Sequence, residues 1–149
     1  MLKKISAVTL FVSLLGLSVP NAQAVQITKF ETLTQKQIEQ SYYFDWNRNS
    51  TFRAAIYKAF KTSKITVPSW VRQGAGPAAP ARVITSGATK FVLLNTCKAR
   101  ECDKNELFVV FDPVTKAAFA VGQLDGKTTW IGNPNATVKQ ILSTASGLR

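Results

Sequence analysis

Two cysteines, Cys97 and Cys102, bound a charged six-residue stretch that reads Cys97-Lys98-Ala99-Arg100-Glu101-Cys102. They are the only cysteines in the sequence of 149 residues. A disulfide between them would close so short a loop that the chain-entropy model credits it with only about 2 kcal/mol. Its use therefore lies in shaping the local backbone. We interpret the stretch as a disulfide-closed loop that is presented to a partner.

The cysteine pair has two alternative roles, a metal site and a redox centre. A structural zinc site needs four ligands, and a sequence without histidine supplies only these two sulfurs. A redox pair usually has two residues between its cysteines, whereas four residues separate Cys97 from Cys102. We therefore predict a disulfide, no metal site and no cofactor.

The sequence contains no recognisable set of catalytic residues. Because histidine is absent, the usual nucleophilic triads and most general-base schemes are excluded. A pair of carboxylates could still cleave a glycoside, but no motif selects two of those available after residue 24. These carboxylates belong to Glu31, Glu39, Asp45, Glu101, Asp103, Glu106, Asp112 and Asp125. We predict that the protein is not an enzyme, with a glycoside-cleaving enzyme as a distant alternative.

The N-terminal residues predict export. Lys3 and Lys4 form a positive start, residues 5–19 are apolar, and Ala22-Gln23-Ala24 is a small-residue cleavage site. We interpret residues 1–24 as a secretory signal peptide. A membrane anchor is the weaker alternative, because the apolar run is short for a spanning helix and no second run follows. Export to the periplasm also favours the disulfide, since that compartment oxidises thiols.

The rest of the chain, residues 25–149, is predicted to be a single folded domain with a basic surface. Hydrophobic residues make up 46% of the sequence and charged residues 18%, which is typical of globular proteins. The formal net charge of +11 falls by two when Lys3 and Lys4 are removed. Most of this excess fits a solvated surface, and a minority of the cations could steer an encounter with an acidic partner. Neither nucleic-acid binding nor membrane insertion after signal cleavage is expected.

The residues before the loop predict helices. Ser50 is a suitable N-cap, and the helix that follows is expected to end near Lys61 or Thr62. Apolar residues recur at the i, i+4, i+7 and i+8 positions of one helical face, namely Phe52, Ile56, Ala59 and Phe60. Upstream, Leu33 and Ile38 fit a short helix.

Aromatic and small residues surround this predicted helix. The aromatic residues at 42–46 are expected in the core or a packing lid rather than in a ligand-stacking site. Residues 74–80 are rich in glycine and proline, so they predict an irregular connection. Trp70, just before them, is expected to anchor that connection in the core.

From residue 82 onward the apolar pattern has a period of two, which predicts strands. The predicted strands cover residues 82–86, 89–96, 106–112, 116–124 and 127–132, and their short connections make neighbours antiparallel. The third is apolar without alternation, so both of its faces should be covered. After a turn and cap at Asn133-Pro134-Asn135, a short helix is expected, with Val138, Ile141 and Leu142 along one face. The predicted fold class is α+β, a five-stranded antiparallel β-meander packed against helices from the N- and C-terminal parts.

The cysteine loop at a hairpin tip follows Pro68-Ser69-Trp70-Val71 and a glycine–proline stretch. Over roughly residues 50–124, this arrangement resembles the inhibitor of vertebrate lysozyme family. The resemblance implies an antiparallel sheet with helices on one side, periplasmic location and frequent formation of a homodimer. It also implies that the cysteine loop plugs the active cleft of a C-type lysozyme. Some members are thought to restrain the cell's own lytic transglycosylases.

Four residues match the loop pattern of that family: Cys97, Lys98, Glu101 and Cys102. Ala99 stands at a variable position. Arg100 stands where the family has a histidine that reaches the catalytic carboxylates of the target. One hypothesis is an inhibitor in which Arg100 is the inserted residue, oriented by Lys98 and Glu101. The other is a non-inhibitory paralogue of the same fold that serves as a wall-associated or other protein-binding module.

Overall fold

The computed structural model describes residue 27 and residues 29–148, so the predicted signal peptide lies outside the described residues. A 3-10 turn covers Phe30–Thr32. The α-helices are α1 (Gln35–Glu39), α2 (Tyr43–Arg48), α3 (Ser50–Thr62), α4 (Ser69–Gln73) and α5 (Ala136–Ser146). The strands are β1 (Arg82–Ser86), β2 (Thr89–Cys97), β3 (Glu106–Asp112), β4 (Ala117–Leu124) and β5 (Lys127–Ile131).

Within the described residues, five strands form one sheet in the order β1-β2-β3-β4-β5, and every neighbouring pair is antiparallel. This confirms the predicted meander and the α+β fold class. The bounds of β1 and β3 match the prediction, and the other strands differ from it by one residue at one end. One such difference matters for the loop, because β2 continues to Cys97 and so includes the first cysteine.

Both faces of β3 are covered, as its apolar sequence predicted. Leu107, Val109 and Phe111 point to one face and lie in the large apolar cluster with residues of α2, α3 and α4. Val110 points to the other face, where Val138 of α5 packs in a second cluster. The central strand is therefore buried between two helical layers, and the hairpin tips at its ends are fixed to a rigid sheet.

Helix α3 has the predicted extent, but its cap is Asn49 rather than Ser50. The Asn49 side-chain oxygen accepts a hydrogen bond from the Phe52 backbone N–H at 3.0 Å. Its Nδ2 donates to the Ile27 carbonyl oxygen at 2.8 Å. A carboxamide provides both an acceptor and a donor, whereas the serine hydroxyl one residue later already lies in the first helical turn.

The aromatic residues at 42–46 are divided between core and surface. Tyr43 and Trp46 are fully buried, as expected of core residues, whereas the Phe44 side chain is 38% exposed. Trp70 is buried too, which confirms its anchoring role, but it lies on the unpredicted short helix α4. This helix ends at Gly74, whose φ of +61° is a left-handed conformation that glycine adopts without steric cost.

The prediction for the two terminal helices was partly right. Ile38 lies on α1, but Leu33 precedes that helix and caps the 3-10 turn instead. At the other end, Asn135 caps α5 by accepting from the Val138 backbone N–H at 2.9 Å, as expected. Leu142 of α5 is fully buried.

Candidate functional site

The predicted loop connects β2 to β3 at one end of the sheet. Cys97 ends β2, and it forms a disulfide with Cys102, with the two Cα atoms 5.0 Å apart. Cys97 is buried and paired with Glu106 in the β2–β3 ladder, so one anchor of the loop is part of the sheet itself. The predicted disulfide is confirmed, and both cysteines are accounted for.

Backbone hydrogen bonds divide the loop into two consecutive turns. The Glu101 N–H donates to the Lys98 carbonyl oxygen at 3.0 Å, which closes a turn with Ala99 and Arg100 at its apex. The Asn105 N–H then donates to the Glu101 carbonyl oxygen at 2.8 Å, closing the second turn. The Lys98 N–H donates to the Asn105 carbonyl oxygen at 2.8 Å across the base of the loop. These bonds hold the base and both turns of the loop together, and Ala99 and Arg100 at the apex are exposed.

Arg100 occupies a left-handed backbone conformation, with φ of +68°. For a residue with a Cβ atom this conformation costs on the order of 1–2 kcal/mol. Such a conformation persists only where its surroundings enforce it, here through the disulfide and the two turns. The result is an exposed arginine that projects from a backbone with little freedom to relax.

Lys98 and Glu101 form an ion pair inside the loop. The Lys98 Nζ lies 2.8 Å from Glu101 Oε1 and 2.9 Å from Oε2. The two side chains are 42% and 46% exposed, so solvent screening limits the stabilisation to under about 1 kcal/mol. The pair matters for charge placement instead. It neutralises Lys98, and Arg100 is left as the cation at the apex that has no ion-pair partner among residues 29–148.

Asn105 joins the loop to the neighbouring hairpin, and sequence reasoning missed it. Its buried side chain donates from Nδ2 to Glu101 Oε2 at 3.3 Å and accepts at Oδ1 from the Asp125 N–H at 3.0 Å. Next to it, the Gly126 N–H donates to the Lys104 carbonyl oxygen at 2.8 Å. The sequence does contain a sign of this role, because Asn105 is an uncharged polar residue between the charged loop and the apolar strand β3.

The glycine–proline connection supports the other side of the loop base. The Cys97 N–H donates to the Pro77 carbonyl oxygen at 3.0 Å. A Cβ atom added to Gly76 would lie only 1.8 Å from the Cys97 carbonyl oxygen, so only glycine fits this approach. The irregular stretch predicted at residues 74–80 thus packs directly against the first cysteine.

Glu106 is a carboxylate at the base of the loop, opposite Cys97 in the ladder. Partial burial raises the pKa of its carboxyl group above the usual value of 4.5, and a side-chain hydrogen bond with Asn95 offsets part of this increase. The Asn95 side-chain oxygen in turn accepts from the Ala79 N–H at 2.7 Å, which connects Glu106 to the glycine–proline connection.

No group of three or more metal-ligating side chains occurs among residues 29–148. Of the helices α1 to α5, none is long and apolar enough to cross a bilayer.

The loop and its supports lie within a region that matches a known family. A family model described as "Inhibitor of vertebrate lysozyme (Ivy)" matches residues 51–146, which run from α3 through the cysteine loop to α5. The chain belongs to the inhibitor of vertebrate lysozyme family. Because this is a family of inhibitors, membership supports the prediction that the protein is not an enzyme.

Two relatives give the extent of the similarity. The inhibitor of vertebrate lysozyme of Pseudomonas aeruginosa is 28% identical over 118 residues, which cover 70% of this chain and 76% of that protein. An uncharacterized protein of Yersinia pestis is 27% identical over 141 residues, covering 86% of this chain and 82% of that one. In this member of the family the six predicted loop residues lie together at one exposed hairpin tip, and their inhibitory role stays a prediction.

Proposed function

We propose that the protein is a periplasmic inhibitor whose cysteine loop enters the active cleft of a C-type lysozyme or of a lytic transglycosylase. Arg100 is the inserted residue in this proposal. The observation that carries it is the exposed arginine at the apex of a disulfide-closed loop whose other apical cation, Lys98, is already neutralised by Glu101. Family membership supports lysozyme as the class of target.

The electrostatics of the apex fit an acidic cleft. A guanidinium group is permanently charged and offers a planar fork of donors that matches a carboxylate in a bidentate manner. Because Lys98 is paired within the loop, the net attraction is concentrated at Arg100. Because a guanidinium group, unlike an imidazole, does not lose its proton near neutral pH, we expect inhibition to persist above the pH at which a histidine-based plug would lose its charge.

The rigidity of the loop favours tight binding. Ordering a flexible loop on association costs free energy, and a loop that is already ordered avoids most of this cost. Here the disulfide, the two backbone turns and the Asn105 side chain fix the conformation before the partner arrives. Lys98 and Glu101 orient the apex by holding the two ends of its turn together.

A titration of the mature protein against a C-type lysozyme and a lytic transglycosylase tests the proposal, with lysis of peptidoglycan as the readout. We expect stoichiometric inhibition of at least one enzyme. Absence of inhibition of both at micromolar concentration would contradict the proposal.

The second candidate function is a non-inhibitory, wall-associated or protein-binding paralogue, which is favoured by arginine at the position of the family's histidine. The Arg100→His variant discriminates between the two. Gain of lysozyme inhibition from an inactive wild type supports the paralogue. Weaker inhibition from an active wild type supports an arginine plug.

Export and assembly belong to the same proposal. Residues 1–24 are removed as a signal peptide, and residues 25–149 form the mature domain in the periplasm. Mass spectrometry of the periplasmic fraction tests the cleavage, which is contradicted if residues 1–24 remain attached. Sedimentation velocity of the mature protein tests the homodimer that the family resemblance implies.

A further inference from the structure

The basic residues of this chain are distributed very unevenly. Residues 46–100 contain no aspartate or glutamate but ten lysines and arginines, namely Arg48, Arg53, Lys58, Lys61, Lys64, Arg72, Arg82, Lys90, Lys98 and Arg100. Two of them belong to the cysteine loop. Most of the others lie on helices α2, α3 and α4 or directly after α3. Inhibition by the loop does not require them.

One lysine from this run lies at a defined cleft. The cleft has a volume of ≈ 250 Å³ and lies between α3 and the turn that joins β3 to β4. Lys58 of α3 and Lys116 of the turn both line it, and Ala55, Ala59 and Ala118 provide an apolar floor. Since β3 runs from the cysteine loop to this turn, the cleft is about 20 Å from the loop at roughly 3.4 Å per residue.

Asp112, which ends β3 just before this turn, has its carboxylate engaged within the turn. Asp112 accepts at Oδ1 from the Val114 N–H at 2.9 Å and the Thr115 N–H at 3.3 Å. Its Oδ2 accepts from the Thr115 hydroxyl at 2.7 Å. Over residues 29–148, neither Lys58 nor Lys116 forms an ion pair. Two exposed lysines therefore line the same cleft without a carboxylate partner within that part of the chain.

Lys116 is held at the cleft by the shape of the turn. Its φ of +57° places its backbone in the left-handed region, immediately after the residues that Asp112 fixes. The backbone of Lys58 is held instead by helix α3, where the next residue, Ala59, is buried. The two lysine backbones are thus positioned by separate elements that both line the cleft.

We infer that this cleft binds the phosphate group of a phosphate ester. A phosphate offers several strong acceptor oxygens, so it can be contacted by two ammonium groups at once. The alanine floor suits the carbon portion of the ester, as in a glycerol or sugar phosphate. Both a lipid headgroup and a soluble phosphate ester carry this chemistry. A phosphate-bearing surface bound here would leave the cysteine loop exposed at the opposite end of the sheet.

The test uses the mature protein with three probes: inorganic phosphate, glycerol 3-phosphate and vesicles of phosphatidylglycerol, with phosphatidylcholine vesicles as the neutral reference. Amide chemical shifts report the soluble probes, and co-sedimentation at low ionic strength reports the vesicles. We expect saturable shifts at Lys58, Thr62, Thr115 and Lys116. The Lys58→Gln/Lys116→Gln variant should bind at least about tenfold more weakly, because both charge-assisted contacts are lost.

The matched control is Lys29→Gln/Lys36→Gln, which removes the same charge from exposed positions away from the cleft. It should bind like the wild type. Equal weakening in both double variants, or shifts spread over all basic residues, would overturn the inference. Vesicle binding that depends on the cleft lysines assigns the ligand to a lipid headgroup, and binding of glycerol 3-phosphate alone assigns it to a soluble ester.

The outcome is independent of the proposed inhibition. Lys58 and Lys116 are exposed, and the shorter glutamine side chains fill no buried space, so the fold should persist, as thermal unfolding of both double variants will show. Lysozyme inhibition by the Lys58→Gln/Lys116→Gln variant should equal that of the wild type. Failure of phosphate binding with retained inhibition would therefore reject the cleft and leave the loop proposal intact.

Discussion

Asn105 donates twice to Glu101, from its backbone N–H to the carbonyl oxygen at 2.8 Å and from Nδ2 to Oε2 at 3.3 Å. The carboxylate that receives the second bond also holds Lys98. A single buried asparagine thus fixes both the backbone of the loop and the charge distribution at its apex. The proposed inhibition by the loop depends on that rigidity.

Replacing Asn105 by alanine should weaken inhibition by more than the loss of folded protein explains. The Asp125 N–H loses its partner and Glu101 loses its restraint, so we expect a loss of about 1–3 kcal/mol in the free energy of unfolding. The apex should also become mobile. Inhibition assays, together with hydrogen exchange of the Asp125 amide, measure the two effects.

Asn47→Ala is the matched control for that substitution. Asn47 is also buried, and its Nδ2 donates to the Arg72 carbonyl oxygen at 2.9 Å rather than to any residue of the cysteine loop. It should cost comparable stability and leave inhibition of the remaining folded protein unchanged. If both variants lost inhibition in proportion to stability, Asn105 would have no positioning role.

Gly76→Ala should be among the most destabilising alanine substitutions at a surface connection. The new Cβ would lie 1.8 Å from the Cys97 carbonyl oxygen, so the connection must move away from β2. Overpacking of this kind typically costs about 1–3 kcal/mol. Chemical denaturation measures the effect. Gly87→Ala is the control, since its φ of +59° brings conformational strain without any atom within 4 Å. A smaller loss for Gly76→Ala than for Gly87→Ala would refute the close approach.

Glu106 should give the folding stability a pH dependence. Burial raises the pKa of its carboxyl group in the folded state above the usual 4.5. The folded state therefore binds the carboxyl proton more tightly than the unfolded chain does. The contribution of Glu106 to stability is therefore full below pH 4.5 and is lost as pH rises through the folded-state pKa.

The Glu106→Gln variant removes this titration. Its unfolding free energy, measured from pH 4 to pH 8, should fall less with rising pH than that of the wild type. Glu31→Gln, at an exposed site, should follow the wild-type curve. A Glu106→Gln curve parallel to the wild type over the whole range would show that burial does not raise this pKa.

Opening the disulfide should weaken inhibition while the fold persists. The Cys97→Ala/Cys102→Ala variant loses about 2 kcal/mol of loop-closure entropy, and the sheet retains its other interactions. Its loop must then be ordered on binding, which lowers affinity. Circular dichroism and inhibition assays on the variant, and on the wild type with and without reductant, measure both effects. Unchanged inhibition would mean that loop closure is not part of the mechanism.

The sequence was sufficient to predict the sheet, because its strands either alternate or, in β3, form a short continuous apolar run, and because they are joined by short connections. It was also sufficient for the disulfide, since only two cysteines exist and both lie at one hairpin. Local chemistry determines these features. The same holds for α3, whose apolar residues recur at helical spacing.

The supports of the loop could not be predicted in the same way, because they depend on contacts between distant residues. Asn105 meets Asp125 across 20 positions of sequence, and Gly76 meets Cys97 across 21 positions (97 − 76). Helix α4 was missed for a related reason. Its five residues have little intrinsic helical stability, and burial of Trp70 and Val71 stabilises them instead.

Arg100 is proposed to carry inhibition, and the most direct measurement compares Arg100→Ala with Arg48→Ala. Arg48 is an exposed arginine on α2, so both variants lose one positive charge. For Arg100→Ala, the inhibition constant against the enzyme that the wild type inhibits should rise. The binding free energy derived from it should weaken by about 2–5 kcal/mol, the usual range for truncating one partner of a buried charge pair. Arg48→Ala should inhibit like the wild type. Equal inhibition by Arg100→Ala and Arg48→Ala would contradict insertion of Arg100 into the cleft.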